Sequence, residues 1–224
     1  MTYTLSQQLS KQQLAGLVFK EVFRTATDKP GFFHINLGSD SSSKALRSLM
    51  VTLKNELSLL SLVHFKKSLA YHWLVRFDQQ VNTPFHIDNA GDQSFLMLGY
   101  EPSEIASELS FADFHRYAKA DLKTSENYLN TFQPVFKAEE SQLAPFTTTL
   151  NSFKKDSYNL VIINNSHPRS TETLGVFHKA HIKHCDLQKS RIVNSMLINM
   201  VDESFENKTE PSETNFIDTS IISK

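Results

Sequence analysis

One cysteine, six glycines and seven prolines are all that the 224 residues contain. The lone Cys185 closes no intramolecular disulfide, so the fold asks for no oxidising compartment. Glycine and proline at this level exclude collagen-like and low-complexity architectures. Neither charge sign dominates: 23 Lys+Arg face 24 Asp+Glu, a net charge of −1, and no basic field points to nucleic acid or to an anionic membrane. No apolar run reaches the length of a membrane span, and the opening MTYTLSQQLSKQQLAG lacks the apolar centre of a signal peptide. The expectation is a soluble, cytoplasmic protein with neither nucleic acid nor membrane as a partner. Hydrophobic residues, by contrast, make up 40% of the chain, with 17 phenylalanines among them. That supplies one domain with a substantial core.

The patterning divides the chain. Residues 6–27 place Leu9, Leu14, Leu17, Val18 and Val22 at helical spacing. After Lys29-Pro30-Gly31, the run Phe32 to Leu37 reads as a strand. Ser41-Ser42-Ser43 then offers a cap for a helix over 44–60. From residue 68 the character turns to β: strands are expected over 70–77, 85–88, 94–100, 143–153, 158–164, 173–182 and 191–201, with intermittent helix over 103–131. The expected class is α+β with a mainly β core: helical support over 1–67 and a barrel or sandwich core over 68–201, together one domain. The long segment 101–141 is expected to act as a lid, and 202–224, polar and acidic, as a flexible tail.

The first chemical signal is His86-Ile87-Asp88. Residues two apart on a strand project from one face, so imidazole and carboxylate can converge on one ion. With nine histidines and eleven aspartates, chance alone gives roughly 0.4 such pairs in a chain this long. Context carries the motif. Downstream, a β-type run holds His178, followed by the polar turn KHCDLQKS and by Arg191 opening an apolar strand. Two strands joined this way form an antiparallel hairpin, and an arginine there can grip a carboxylate through two parallel hydrogen bonds. Ser195, four residues on, shares the strand face of Arg191 and could add a hydroxyl. Two histidines and one carboxylate on one face of an octahedron leave positions open for further ligands, as in non-haem iron(II) oxygenases.

A strand with His-x-Asp, a distal histidine and an arginine some residues further resembles the 2-oxoglutarate/iron(II)-dependent oxygenases, over about residues 68–200. The resemblance implies a double-stranded β-helix, or jelly roll. It implies His86, Asp88 and His178 as iron ligands, Arg191 as the residue holding the far carboxylate of 2-oxoglutarate, and dioxygen as oxidant. A small molecule or a peptide side chain would be hydroxylated, with release of succinate and carbon dioxide. Two features depart from the pattern: Val193 stands where many members carry a hydroxyl residue, and the gap from His178 to Arg191 is long, at 13 residues. A cupin-type metal-binding protein and a non-catalytic barrel are the alternatives.

Other residues keep two readings. His181, His167 and His184 rival His178; His178 is preferred because Ala180 and Ile182 continue its strand face. Tyr71 stands where the family often places a tyrosine on the co-substrate carboxylate, yet Tyr71, Trp73, Val75 and Phe77 also alternate as core residues do. Asn164-Asn165 reads as a turn.

Overall fold

A computed structural model describes residues 2–4, 9–120, 125–170, 172–202 and 211–223. The chain begins with β1 (Thr2–Thr4), α1 (Lys11–Val22), β2 (Phe32–Gly38) and α2 (Ser43–Phe65). Strands β3 (Lys67–Asp78), β4 (Ser94–Tyr100) and β5 (Ser107–Ala112) follow, then α3 (Phe114–Ala120) and α4 (Ser125–Asn130). A 3-10 turn (Glu140–Phe146) leads to β6 (Thr147–Leu150), β7 (Tyr158–Asn164), β8 (Phe177–Ile182), β9 (Ile192–Asp202) and α5 (Glu213–Asp218).

Local chemistry starts both long helices. Ser10 and Gln13 form a reciprocal capping box at α1, and the Ser42 hydroxyl accepts from the Ala45 amide at α2. Each helix then presents one apolar stripe: Leu14, Val18 and Val22 on α1, and Leu46, Met50, Leu53 and Leu57 on α2.

Those stripes cover one face of a six-stranded sheet ordered β1-β2-β7-β4-β9-β3, antiparallel throughout except for β1 with β2. Alternation along the strands separates its two faces. Leu160 and Ile162, Phe95 and Met97, and Met196 and Ile198 pack with the helices. Val161, Ile163, Leu96, Val193 and Leu197 point the other way, onto Leu109, Phe111 and Leu150 of a second sheet ordered β6-β5-β8. The result is three layers, helices, large sheet and small sheet, with antiparallel pairing dominating both sheets.

Several expectations need correction. The helix expected over 103–131 gives way to β5, the central strand of the small sheet, and helix starts only at Phe114. For the same reason 101–141 is no single lid. Its part beyond β5 carries Phe114, Phe132 and Phe136, which pack on Phe85, Ile87 and Phe177 behind the small sheet. The tail expected to be flexible over 202–224 is docked wherever it is described, over 211–223. Phe216 is buried against the helical core, and the Ile217 and Thr219 carbonyls accept from the Arg47 guanidinium. One aromatic anchor and a buried cation seeking acceptors outweigh the polar composition. Residues 203–210 lie outside the described residues.

Candidate metal centre

His86 leaves the turn at Pro84 and meets β8 as an isolated antiparallel bridge to His178. The two residues exchange both backbone hydrogen bonds, His86 N–H to the His178 carbonyl at 3.0 Å and the reverse at 2.9 Å. Directly opposed residues of an antiparallel pair carry their side chains on one face, and the imidazole centroids lie 4.2 Å apart. Asp88, two residues beyond His86, falls on that face too. Its Oδ1 is 3.6 Å from His86 Nε2 and its Oδ2 is 3.7 Å from His178 Nε2. One ligand atom from each of the three residues lies within 4.8 Å of the others. Among the described residues this is the only such group of three His, Cys, Asp or Glu side chains.

At two of the three residues the protonation state already suits a cation, and at His86 it does not. His86 Nδ1 donates to the Pro84 carbonyl at 2.9 Å, which leaves the Nε2 lone pair facing Asp88. Burial drives the His178 pKa down to about 4, with His86 adding to the effect and Asp88 opposing it. Burial also works against a charge on His86, but Asp88 and the Pro84 carbonyl outweigh it and raise the pKa. Asp88 is held below its ordinary value: burial would raise it, and the two imidazoles overcome that. Two imidazole nitrogens and one carboxylate converging at a cavity wall match the donor set of a facial-triad metal site.

The cavity, about 150 Å³, opens between the sheets. Its walls are mostly apolar, with Trp73, Phe77, Leu96 and Val193 among them, and the triad sits at one side. Ser195 lines it as well, its hydroxyl accepting from Trp73 Nε1 at 3.1 Å. Arg191 shares the strand face of Val193 and Ser195 but does not line this cavity. It lies beyond Tyr100, which borders both the cavity and a crevice of about 20 Å³ that Arg191 lines. The Arg191 guanidinium stacks 4.9 Å from the Tyr100 ring centroid and donates to Ser107 Oγ and the Gln79 carbonyl, each at 3.1 Å. Arg191 is 3% exposed and its Nη2 has no hydrogen-bond partner. Among the described residues its guanidinium forms no ion pair, although the Asp78 carboxylate accepts from the Arg191 backbone amide at 2.8 Å. A buried guanidinium without an ion-pair partner is costly to leave uncompensated.

Tyr71 is placed elsewhere, which corrects its reading as a co-substrate residue. A bulge at His72 shifts the β3 register between Tyr71 and Trp73, so Tyr71 packs with the helices while Trp73 and Phe77 face the small sheet. The Tyr71 hydroxyl donates to Glu213 of the docked tail at 2.7 Å. His181 points to the outer face of the small sheet beside Lys179, and His167 packs on Phe132. His184 is exposed. None of these three joins the triad.

Two residues around this site carry no signal of it in the sequence. Tyr100 was legible only as the end of an apolar strand, although its hydroxyl-bearing ring faces Arg191. Asn165, which reads in the sequence as part of a turn, reaches both backbone polar groups of Asp88; no local pattern signals that.

No family model matches the sequence, and no curated protein matches it. Among solved structures, a taurine dioxygenase from Burkholderia xenovorans aligns over 89% of this chain and 85% of its own, at 10% identity and a TM-score of 0.49. A second chain from that organism, assigned as an alpha-ketoglutarate-dependent taurine dioxygenase, aligns over 96% and 91%, at 9% identity and a TM-score of 0.47. With TM-scores below 0.5, neither likeness bears on the site, whose chemistry follows from its own residues.

Proposed function

We propose that this protein is an iron(II) oxygenase that takes 2-oxoglutarate as co-substrate, built on a double-stranded β-helix whose two sheets enclose the site. The observation that carries the reading is the convergence of His86, Asp88 and His178, with one ligand atom of each within 4.8 Å, at the wall of an apolar cavity. The ligands would be His86 Nε2, His178 Nε2 and an Asp88 oxygen. When bound, ferrous iron with dioxygen and 2-oxoglutarate supplies oxidation of a C–H bond, the co-substrate leaving as succinate and carbon dioxide.

The chain's own residues do the rest. The Pro84 carbonyl fixes the His86 ring, and the backbone bridge fixes His86 against His178. Arg191, with its unused Nη2, supplies the charge for the far carboxylate of the co-substrate. Burial holds the Tyr100 hydroxyl protonated against the pull of Arg191, so it can donate to the same carboxylate. Apolar walls on the cavity side of the triad would limit water around the reacting carbon, while His86 and Asp88 keep side chains about one-fifth exposed. The substrate in this reading is a small molecule or a peptide side chain.

Arg191 separates this reading from a cupin-type metal protein, which has no use for a buried arginine awaiting an anion. Anaerobic titration with iron(II) and then 2-oxoglutarate tests it through the visible charge-transfer absorption of the chelate. A band in the wild type that is lost in His178→Ala supports the assignment. Metal binding without a band favours the cupin alternative, and failure to bind either ligand removes the catalytic reading.

A further inference from the structure

Two of the three candidate ligands are held by regular pairing, and the third is not. His178 lies within β8, and His86 is bridged to it. That ladder stops short of Asp88: the Ile87 amide turns to the Pro134 carbonyl, and residues 87–93 form no strand. The carboxylate that must face both imidazoles therefore hangs from irregular backbone.

One side chain takes the place of the missing strand. Asn165 Oδ1 accepts from the Asp88 amide at 2.7 Å, and Asn165 Nδ2 donates to the Asp88 carbonyl at 3.1 Å. A side-chain amide pairing with both polar groups of one residue copies the two-point contact of a β-ladder. Asn165 is itself immobilised. It is 1% exposed, its amide N–H donates to the Ser94 carbonyl at 2.9 Å, and Nδ2 donates again to Ser94 Oγ at 2.9 Å. Its oxygen and both of its amide hydrogens are thus engaged, and two of these three contacts go to Asp88. The segment beyond it is packed as tightly: a Cβ on Gly175 would stand 2.0 Å from the Ser166 carbonyl, so only glycine lets the approach to β8 pass there.

We propose that Asn165 is a positioning residue for the metal centre: by clamping both backbone polar groups of Asp88 it aims the carboxylate at the point shared with His86 and His178. This rests on the metal-binding reading above. Loss of the clamp leaves the Asp88 amide and carbonyl without that partner and frees the carboxylate to turn away from the imidazoles. Loss of a group that orients a ligand typically lowers metal affinity about 10- to 100-fold.

The test is manganese(II) binding to the full chain, followed by electron paramagnetic resonance and calorimetry. The variants are Asn165→Ala and Asn165→Leu, the second keeping side-chain volume in case the first does not fold. Ser166→Ala is the matched control. Ser166 is equally buried and hydrogen-bonded to Ser94 and Thr173, one residue away, yet does not touch Asp88. The expected result is an affinity lowered about 10- to 100-fold in the Asn165 variants, a changed spectrum at saturating metal, and a Ser166→Ala affinity within about threefold of wild type. Equal affinity in all variants, or an equal loss in Ser166→Ala, overturns the assignment and leaves the metal reading intact. Absence of binding in the wild type overturns both.

Discussion

His86 and His178 are bound to each other through both backbone amides, and their rings lie tilted at 47° with centroids 4.2 Å apart. Each imidazole is therefore placed by the other's strand, and neither moves without breaking a ladder. Replacing either ring by a methyl group keeps the bridge, because the bridge is backbone. His178→Ala is accordingly expected to retain the fold by circular dichroism and to lose metal affinity by more than the ~10–100-fold that follows loss of a merely supporting group. His181→Ala, on the outer face of the small sheet, is expected to leave affinity unchanged. Calorimetric titration with manganese(II) decides, and comparable losses in both variants would break the assignment.

Arg191 carries the co-substrate expectation. A charge-assisted hydrogen bond is worth ~1.5–3 kcal/mol, so Arg191→Met should weaken 2-oxoglutarate binding by about 10- to 150-fold. Metal affinity should stay near the wild-type value, since Arg191 lies beyond Tyr100 from the triad. Arg191→Lys keeps the charge but not the fork, and an intermediate affinity is expected. A dialysis measurement with labelled 2-oxoglutarate, at saturating metal, distinguishes the three.

Metal binding should depend on pH through one proton. The His86 pKa is raised, that of His178 falls to about 4, and Asp88 is held low. At neutral pH and somewhat below, His178 is already neutral and Asp88 already ionised, so only His86 must release a proton to bind metal. Affinity should be flat above the raised His86 pKa and fall ~10-fold per pH unit beneath it. A second proton would enter only near pH 4. Manganese(II) affinities measured from pH 8 down to pH 5 check this, and a flat profile contradicts it.

Much of this arrangement could be read from the chain because it depends on strand alternation. The apolar runs SFLMLGY and YNLVIIN became β4 and β7 with the boundaries expected. The same periodicity set His178 apart from His181, since residues three apart on a strand face opposite ways. What escaped has a different physical origin. The bulge at His72 reverses the faces of β3 partway along, so Tyr71 and Trp73 part company although their spacing says otherwise. The Asn165 clamp joins residues 77 positions apart. The short polar strand SELSFA is completed by partners on β6 and β8 and shows little signal of its own. Long-range partners decide all three cases.

The docked carboxyl-terminal segment yields a prediction about stability that is separate from the metal. Phe216 is 5% exposed and packs into the helical core, and truncating a buried phenylalanine to alanine costs ~3–5 kcal/mol. Phe216→Ala should fall near the lower end, because a short helix at the chain end can relax around the void. Deleting residues 211–224 should cost more. It removes three acceptor contacts made by Ile217 and Thr219 to the buried Arg47, together with the Glu213 carboxylate on Tyr71. Neither change touches β8 or the bridge to His86, so manganese(II) affinity per folded molecule should remain at the wild-type value. Urea unfolding followed by fluorescence of the single Trp73 gives the stability, and metal titration below the transition gives the affinity. A deletion that leaves the urea midpoint in place would mean the segment contributes nothing to the fold. A deletion that abolishes metal binding in folded protein would mean that the helical layer and the metal centre are coupled through β3, whose cavity face carries Trp73, Val75 and Phe77.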